Sequence, residues 1–179
     1  MKIGIILGST REGRVGEQVA QWVAALANQR DSAASYELID LLHYDLPFFT
    51  GAVPPRAVKK QYNDARVAKW SEKIDSFDGF VFVTPEYNQC PPAPFKNAFD
   101  TLGEEWSDKG IALVGYGYHG GLNSMKAWRQ IVSGFTKNVA ENQVSFNLGK
   151  ELKDGKFIPA QGQESSVHEV LDELEALLK

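Results

Sequence analysis

The sequence predicts a three-layer α/β sandwich around a five-stranded parallel sheet, and three observations predict it. Short runs of apolar and β-branched residues alternate with stretches whose apolar residues recur at helical spacing. The run from Gly79 to Thr84 (GFVFVT) is apolar on both faces, as in a strand covered by helices on both sides. At 179 residues the chain has the length of one ordinary domain, enough to bury a full core without staples.

The elements follow in order. Ile3 to Leu7 is a strand that stops at Gly8-Ser9, and Val15, Val19, Trp22, Val23 and Leu26 then space a helix that fades near Asn28 to Asp31. Ser35 to Leu42 holds the second strand, ending at Asp40 or a little later. Pro47, Pro54 and Pro55 make 46–55 a loop, because proline removes donors and restricts its neighbours. Val58, Tyr62, Val67, Trp70, Ile74 and Phe77 predict one long amphipathic helix over Arg56 to Phe77. After the third strand, Pro91 to Pro94 open a helix holding Phe95, Ala98, Phe99 and Leu102. Ile111 to Tyr116 is the fourth strand, Ser124 to Phe135 a helix, and Val139 to Leu148 contains the fifth strand. Residues 149–162 read as a surface excursion before a closing helix over Val167 to Leu178.

Alternation of this kind implies right-handed crossovers and a doubly wound sheet. Of the two common orders, the flavodoxin-like 2-1-3-4-5 places strands 1 and 3 together at the switch point, where ligands bind. In it, the loops after strands 1, 3 and 4, which are the unusual ones in this chain, meet in one crevice.

Bulk properties narrow the task. A formal net charge of -4 argues against general nucleic-acid or anionic-membrane binding. One cysteine, Cys90, allows no intrachain disulfide and suits a reducing cytoplasm. The N-terminus lacks the pattern of a secretion signal, and no apolar run has membrane-spanning length, so a cytoplasmic protein is expected. His43, His119 and His168 lie far apart without the spacing of a ligand pair, so no metal site is expected.

Chemistry concentrates in three loops. Gly8-Ser9-Thr10-Arg11-Glu12-Gly13-Arg14 leads into a helix start, whose unpaired amides and positive dipole end favour an anion. The spacing is neither G-x-G-x-x-G nor a Walker A loop, so a single phosphate monoester gripped by two arginines and two hydroxyls fits, the alternative being a plain turn with solvated arginines. Thr84 to Asn88 could line a flat heteroaromatic ring, or Pro85 could simply end the strand and Asn88 cap the next helix. Gly117, Gly120 and Gly121 surround Tyr118 and His119 and let backbone approach a partner closely, or make a turn; His119 reads as exposed or hydrogen-bonded rather than catalytic. Cys90 reads as an inert packing residue.

Taken together, GSTREGR at 8–14, TPEYN at 84–88, KNAFD at 96–100 and YGYHGG at 116–121 resemble the NADPH-dependent FMN reductase family, which includes quinone, chromate and azo-dye reductases. The resemblance implies a non-covalent FMN whose phosphate is held by Ser9, Arg11, Arg14 and the amides of Val15 and Gly16. Pro85, Glu86, Tyr87 and Asn88 would follow the ribityl chain and isoalloxazine, and Tyr116, Gly117, Tyr118, His119 and Gly120 would approach the pyrimidine side. Arg14 stands where many members carry serine, and Gly115 and Tyr116 stand where a small hydroxyl residue is frequent.

The implied reaction passes a hydride from NADPH or NADH to FMN and on to a quinone, flavin, azo compound or metal oxyanion by a ping-pong route. No side chain need act as acid or nucleophile, so no catalytic residue is assigned. Phe48, Phe49 and Arg56 of the Pro-rich loop are candidates for walling the acceptor pocket, or else form a surface loop or subunit contact. A homodimer or homotetramer is the expected assembly. The alternatives are a flavodoxin-type electron carrier, against which the arginines of the first loop argue, and a flavin-sensing module.

Overall fold

The computed structural model describes residues 1–179. The strands β1 (Lys2–Leu7), β2 (Ser35–Asp40), β3 (Gly79–Pro85), β4 (Gly110–Gly117) and β5 (Val144–Asn147) form one parallel sheet in the order β2-β1-β3-β4-β5, the flavodoxin-like order. Register brings the carboxyl ends level: Leu7 pairs with Asp40 on one side and Val83 on the other, and Pro85 pairs with Tyr116.

Alternation along each strand builds two cores. Ile3, Ile5 and Leu7 point with Val81, Val83, Val114 and Phe146 toward α1 (Gly16–Gln29). Ile6, Phe80, Phe82 and Leu113 point the other way, onto α2 (Ala65–Asp75), α3 (Ala93–Asp100) and α4 (Leu122–Val132). All of β3 is buried, as a central strand covered on both faces must be. Trp70, Trp106 and Trp128 fill the second core around Phe82, Phe95 and Phe99, with Phe99 stacked on Trp106 at 4.7 Å.

Two stretches, 56–77 and 149–162, depart from the sequence expectation, whereas β5 lies inside the 139–148 stretch expected to contain it. The long helix over Arg56 to Phe77 is absent. Residues 55–57 form a 3₁₀ turn, Lys59 and Lys60 take positive φ of 50° and 59°, and α2 starts only at Ala65, where the Asp64 carboxylate caps the Arg66 amide at 2.9 Å. Val58 lies in the turn closed by the Gln61 amide on its carbonyl, and Tyr62 in the irregular backbone that follows, because a capping aspartate sets a helix start more strongly than periodicity extends it. Before β5, Val139 makes only an isolated bridge to Ile111. The Ala140 amide donates to the Ile111 carbonyl at 2.9 Å, and side chains satisfy the groups that follow: the Arg129 guanidinium donates to the Ala140 and Glu141 carbonyls at 2.8 Å each, and Glu173 receives the Glu141 and Asn142 amides.

The excursion 149–162 has structure of its own. A single turn α5 (Leu148–Glu151) leads into a hairpin of β6 (Leu152–Lys153) and β7 (Lys156–Phe157), followed by α6 (Gln163–Leu177), which shares the first core. Gln18 of α1 holds the hairpin at both ends, donating to the Gly155 carbonyl and accepting from the Phe157 amide, each at 2.9 Å. The Glu151 carboxylate, 3% exposed, receives the Asn147 and Ala160 amides and the Gln163 side chain. No helix is long and apolar enough to cross a membrane.

Candidate functional site

The carboxyl ends of β1, β3 and β4 open onto a cavity of about 170 Å³ lined by Ser9, Arg11, Val15, Pro85, Glu86, Tyr87, Tyr116, Gly117, Tyr118 and Leu148. Nine of these were candidates from sequence; Leu148, the first residue of α5, was not. Among the other candidates, Gly16 lies directly behind the cavity against Tyr116, whereas Arg14, Asn88, His119 and Gly120 do not line it.

The first loop leaves β1 with the Gly8 amide donating to the Val83 carbonyl at 3.0 Å, and the Phe95 ring fills the space a Cβ on Gly8 would need. Ser9 is 1% exposed, and its hydroxyl sits 2.9 Å from that of Tyr87, so the loops after β1 and β3 meet through a hydrogen bond. No side chain caps α1, which leaves its first amides and dipole facing the cavity. Arg11 is exposed on the rim with neither hydrogen bond nor ion pair within the chain.

Arg14 behaves differently. Its guanidinium donates to the Ser9 carbonyl at 2.6 Å, to Asp40 Oδ1 at 2.8 Å, and closes a bidentate pair on Asp40 Oδ2, with its side chain only 8% exposed. The hydrogen bonds that Arg14 donates to Asp40 raise the Arg14 pKa against the opposing effect of burial. Burial likewise works against the Asp40 charge, yet the Arg14 hydrogen bonds and the Leu42 amide hold its carboxyl below the usual range. Arg14 is therefore a neutralised brace between the first loop and the end of β2, leaving Arg11 the free positive charge of this loop.

The second loop turns tightly. Tyr87 and Cys90 exchange backbone hydrogen bonds at 3.0 and 3.1 Å across Asn88 and Gln89, both at positive φ, the form of a two-residue I′ turn. Asn88 thus serves the turn and does not cap α3, which begins behind Pro92 without a side-chain cap. Cys90 is exposed, which corrects its reading as a packing residue. Glu86 reaches across to the start of α4: its carboxylate accepts from the Asn123 amide at 2.9 Å, the Ser124 amide at 3.4 Å and the Asn123 side chain at 3.2 Å. Beneath it, buried Thr84 receives the Trp128 indole and shares a hydrogen bond with Ser124.

The third loop is shaped by its glycines. Gly121 has φ 72°, and a Cβ there would lie 2.6 Å from the Tyr116 amide nitrogen, so the loop folds back on β4 only with glycine. Ser145 of β5 donates to the Gly120 carbonyl at 2.9 Å. Tyr118 and His119 are exposed, Tyr118 at 74%.

A larger cavity, about 390 Å³, lies elsewhere, under the loop containing Phe48, Phe49 and Val53. Asn97 of the KNAFD motif pins that loop, donating to the Pro47 carbonyl at 2.9 Å and accepting the Phe49 amide at 3.0 Å. Arg56 lies over the Phe135 ring and donates to the Gly134 carbonyl, so it faces away from the cavity of the first loop. Phe48 instead comes near the outer side of the first loop, sharing a small 130 Å³ hollow with Thr10, Tyr44 and Asn97. The roles of Asp40 and Asn97 carried no sequence signal beyond their types, because their partners lie tens of residues away.

Comparison with known proteins gives the family and the fold. The NADPH-dependent FMN reductase family matches residues 1–151. An NAD(P)H-dependent FMN reductase of Schizosaccharomyces pombe is 33% identical over 160 residues, covering 89% of this chain and 80% of its own. One from Saccharomyces cerevisiae is 35% identical over 147 residues, covering 78% and 77%. An NADPH azoreductase of a Bacillus species is 28% identical over 181 residues, covering 99% and 93%. Among solved structures, the flavoenzyme NAD(P)H:(acceptor) oxidoreductase of Paracoccus denitrificans superposes with a TM-score of 0.74 at 19% identity, covering 98% of this chain and 97% of that one.

Proposed function

The chain belongs to the NADPH-dependent FMN reductase family, an oxidoreductase family with FMN as cofactor and NAD(P)H as co-substrate, and from that premise we propose that its cavity holds FMN in a two-stage transfer of reducing equivalents to a small acceptor. The observation that carries this reading is the uncapped start of α1, opening beside buried Ser9, free Arg11 and the buried Tyr116 hydroxyl. These donors suit a phosphomonoester. Ser9, Arg11 and the amides of Val15 and Gly16 would hold the phosphate, while Arg14, braced on Asp40, keeps the Ser9 carbonyl in place. Pro85, Glu86 and Tyr87 would flank the ribityl chain and ring, with Gly117 and Tyr118 opposite and the Asn88 turn, His119 and Gly120 supporting the rim.

Bound FMN supplies the hydride and electron chemistry. The chain would position both partners at the ends of β3 and β4. NAD(P)H would pass its hydride to the bound flavin and leave before the acceptor enters the same open site, which is the ping-pong order. Quinones, free flavins, azo compounds and metal oxyanions all meet an exposed site of this kind. The exposed, apolar Phe48, Phe49 and Val53 support a homodimer or homotetramer, which light scattering against concentration tests. The lone thiol suits a reducing cytoplasm. Purified protein that takes up FMN and oxidises NADPH or NADH with a quinone supports the function; protein that does neither overturns it.

A further inference from the structure

We propose that Tyr116, on β4, is a direct ligand of the phosphate group bound at the start of α1 and so helps the site choose a phosphorylated flavin over riboflavin. This deepens the FMN reading above and rests on it. The Tyr116 hydroxyl is the one fully enclosed side-chain polar atom in the chain without a hydrogen-bond partner, in a residue 4% exposed. Orphaned groups of this sort are rare, because an unmade hydrogen bond in the interior is costly. Elsewhere in this chain the rule holds: Tyr36 is bonded to Glu175 and Arg30, and Tyr62 to Glu105.

Position gives the orphan its meaning. The hydroxyl lies against the first turn of α1, so close that a Cβ built on Gly16 would stand 2.0 Å from it. Glycine at 16 is what leaves room for the oxygen there. The same turn has no side-chain cap, and Tyr116 lines the cavity together with Ser9, whose own hydroxyl is engaged by Tyr87. Two unsatisfied sets of donors, the helix amides and the phenol, therefore converge on one place. Burial pushes the Tyr116 pKa up, outweighing the nearby Ser9 hydroxyl, which pulls it down without making a hydrogen bond of good geometry, so the phenol stays protonated and can donate. A phosphate oxygen accepts readily from both sets.

The test is calorimetric binding of FMN, riboflavin and inorganic phosphate to the apo full-length protein, wild type and Tyr116→Phe, alongside thermal unfolding of both. The inference expects Tyr116→Phe to weaken FMN about tenfold or more, to leave riboflavin affinity unchanged, and to leave the apo melting temperature equal or higher, since an unpartnered hydroxyl is removed. Unchanged FMN affinity overturns it. So does an equal loss for FMN and riboflavin, which marks a structural role. Wild type that binds phosphate in a Tyr116-dependent way but no FMN keeps the phosphate ligand and overturns the flavin reading; wild type that binds neither overturns both.

Discussion

Two arginines three residues apart do opposite work. Arg11 is exposed and unpaired, whereas Arg14 is locked on Asp40 and the Ser9 carbonyl. Replacing Arg11 by Ala should therefore weaken FMN at least several-fold, as loss of a charge-assisted bond to phosphate does, while the melting temperature of the apo protein stays within a degree or two. Asp40→Ala should do the reverse first: it strands a largely buried guanidinium and removes the cap on the Leu42 amide, lowering unfolding free energy by about 2 kcal/mol or more by urea titration. The same pair predicts a pH dependence. Asp40 and Glu175 both have carboxyls held below their ordinary range, Glu175 by Tyr36, Ser32 and Arg30 acting against burial. The folded state thus binds fewer protons than the unfolded one, and the stabilisation is complete above the unfolded carboxylate pKa of about 4 and lost as pH falls through the lowered folded values. Melting temperature should be level from about pH 5 to 7 and drop below about pH 4, with a shallower drop in Asp40→Asn; an identical acid limb in that variant contradicts the assignment. From sequence, Arg11 and Arg14 are indistinguishable, because what separates them is a partner at the end of a different strand.

Among the elements, the start of α4 shows how one strand end organises another. Glu86 caps the Asn123 and Ser124 amides from the loop after β3, and Gly121 lets the preceding turn close onto β4. Glu86→Ala should cost about 1 kcal/mol and speed hydrogen exchange at those two amides, with the amides of α1 unaffected. Exchange unchanged at Asn123 would remove Glu86 from this role. The strands were legible in the sequence because each is a bounded apolar run, and β3 most of all because Phe80 to Val83 are apolar without interruption. The stretch 56–77 was misleading, since Val58 and Tyr62 satisfy helical spacing from a turn and the irregular backbone after it while Asp64 sets the real start of α2. The β6–β7 hairpin was invisible because its docking depends on Gln18, Trp22 and Phe157 meeting across well over a hundred residues.

For the molecule as a whole, the sheet order is what turns scattered motifs into a site. Strands β1, β3 and β4 are neighbours, so loops separated by about a hundred positions in the sequence share one cavity. The motif-bearing loops of the sequence supplied nine of the ten lining residues; Leu148 escaped because α5 returns to the cavity only after β5 has joined the sheet. The central claim, an enzyme that takes reducing equivalents directly from a nicotinamide, is tested most directly by anaerobic stopped-flow absorbance of the FMN-loaded protein. Mixing with NADPH or NADH alone should bleach the flavin band rapidly, and a quinone added afterwards should restore it without further nicotinamide. A band that stays unbleached until a separate reductase protein is supplied would contradict the account.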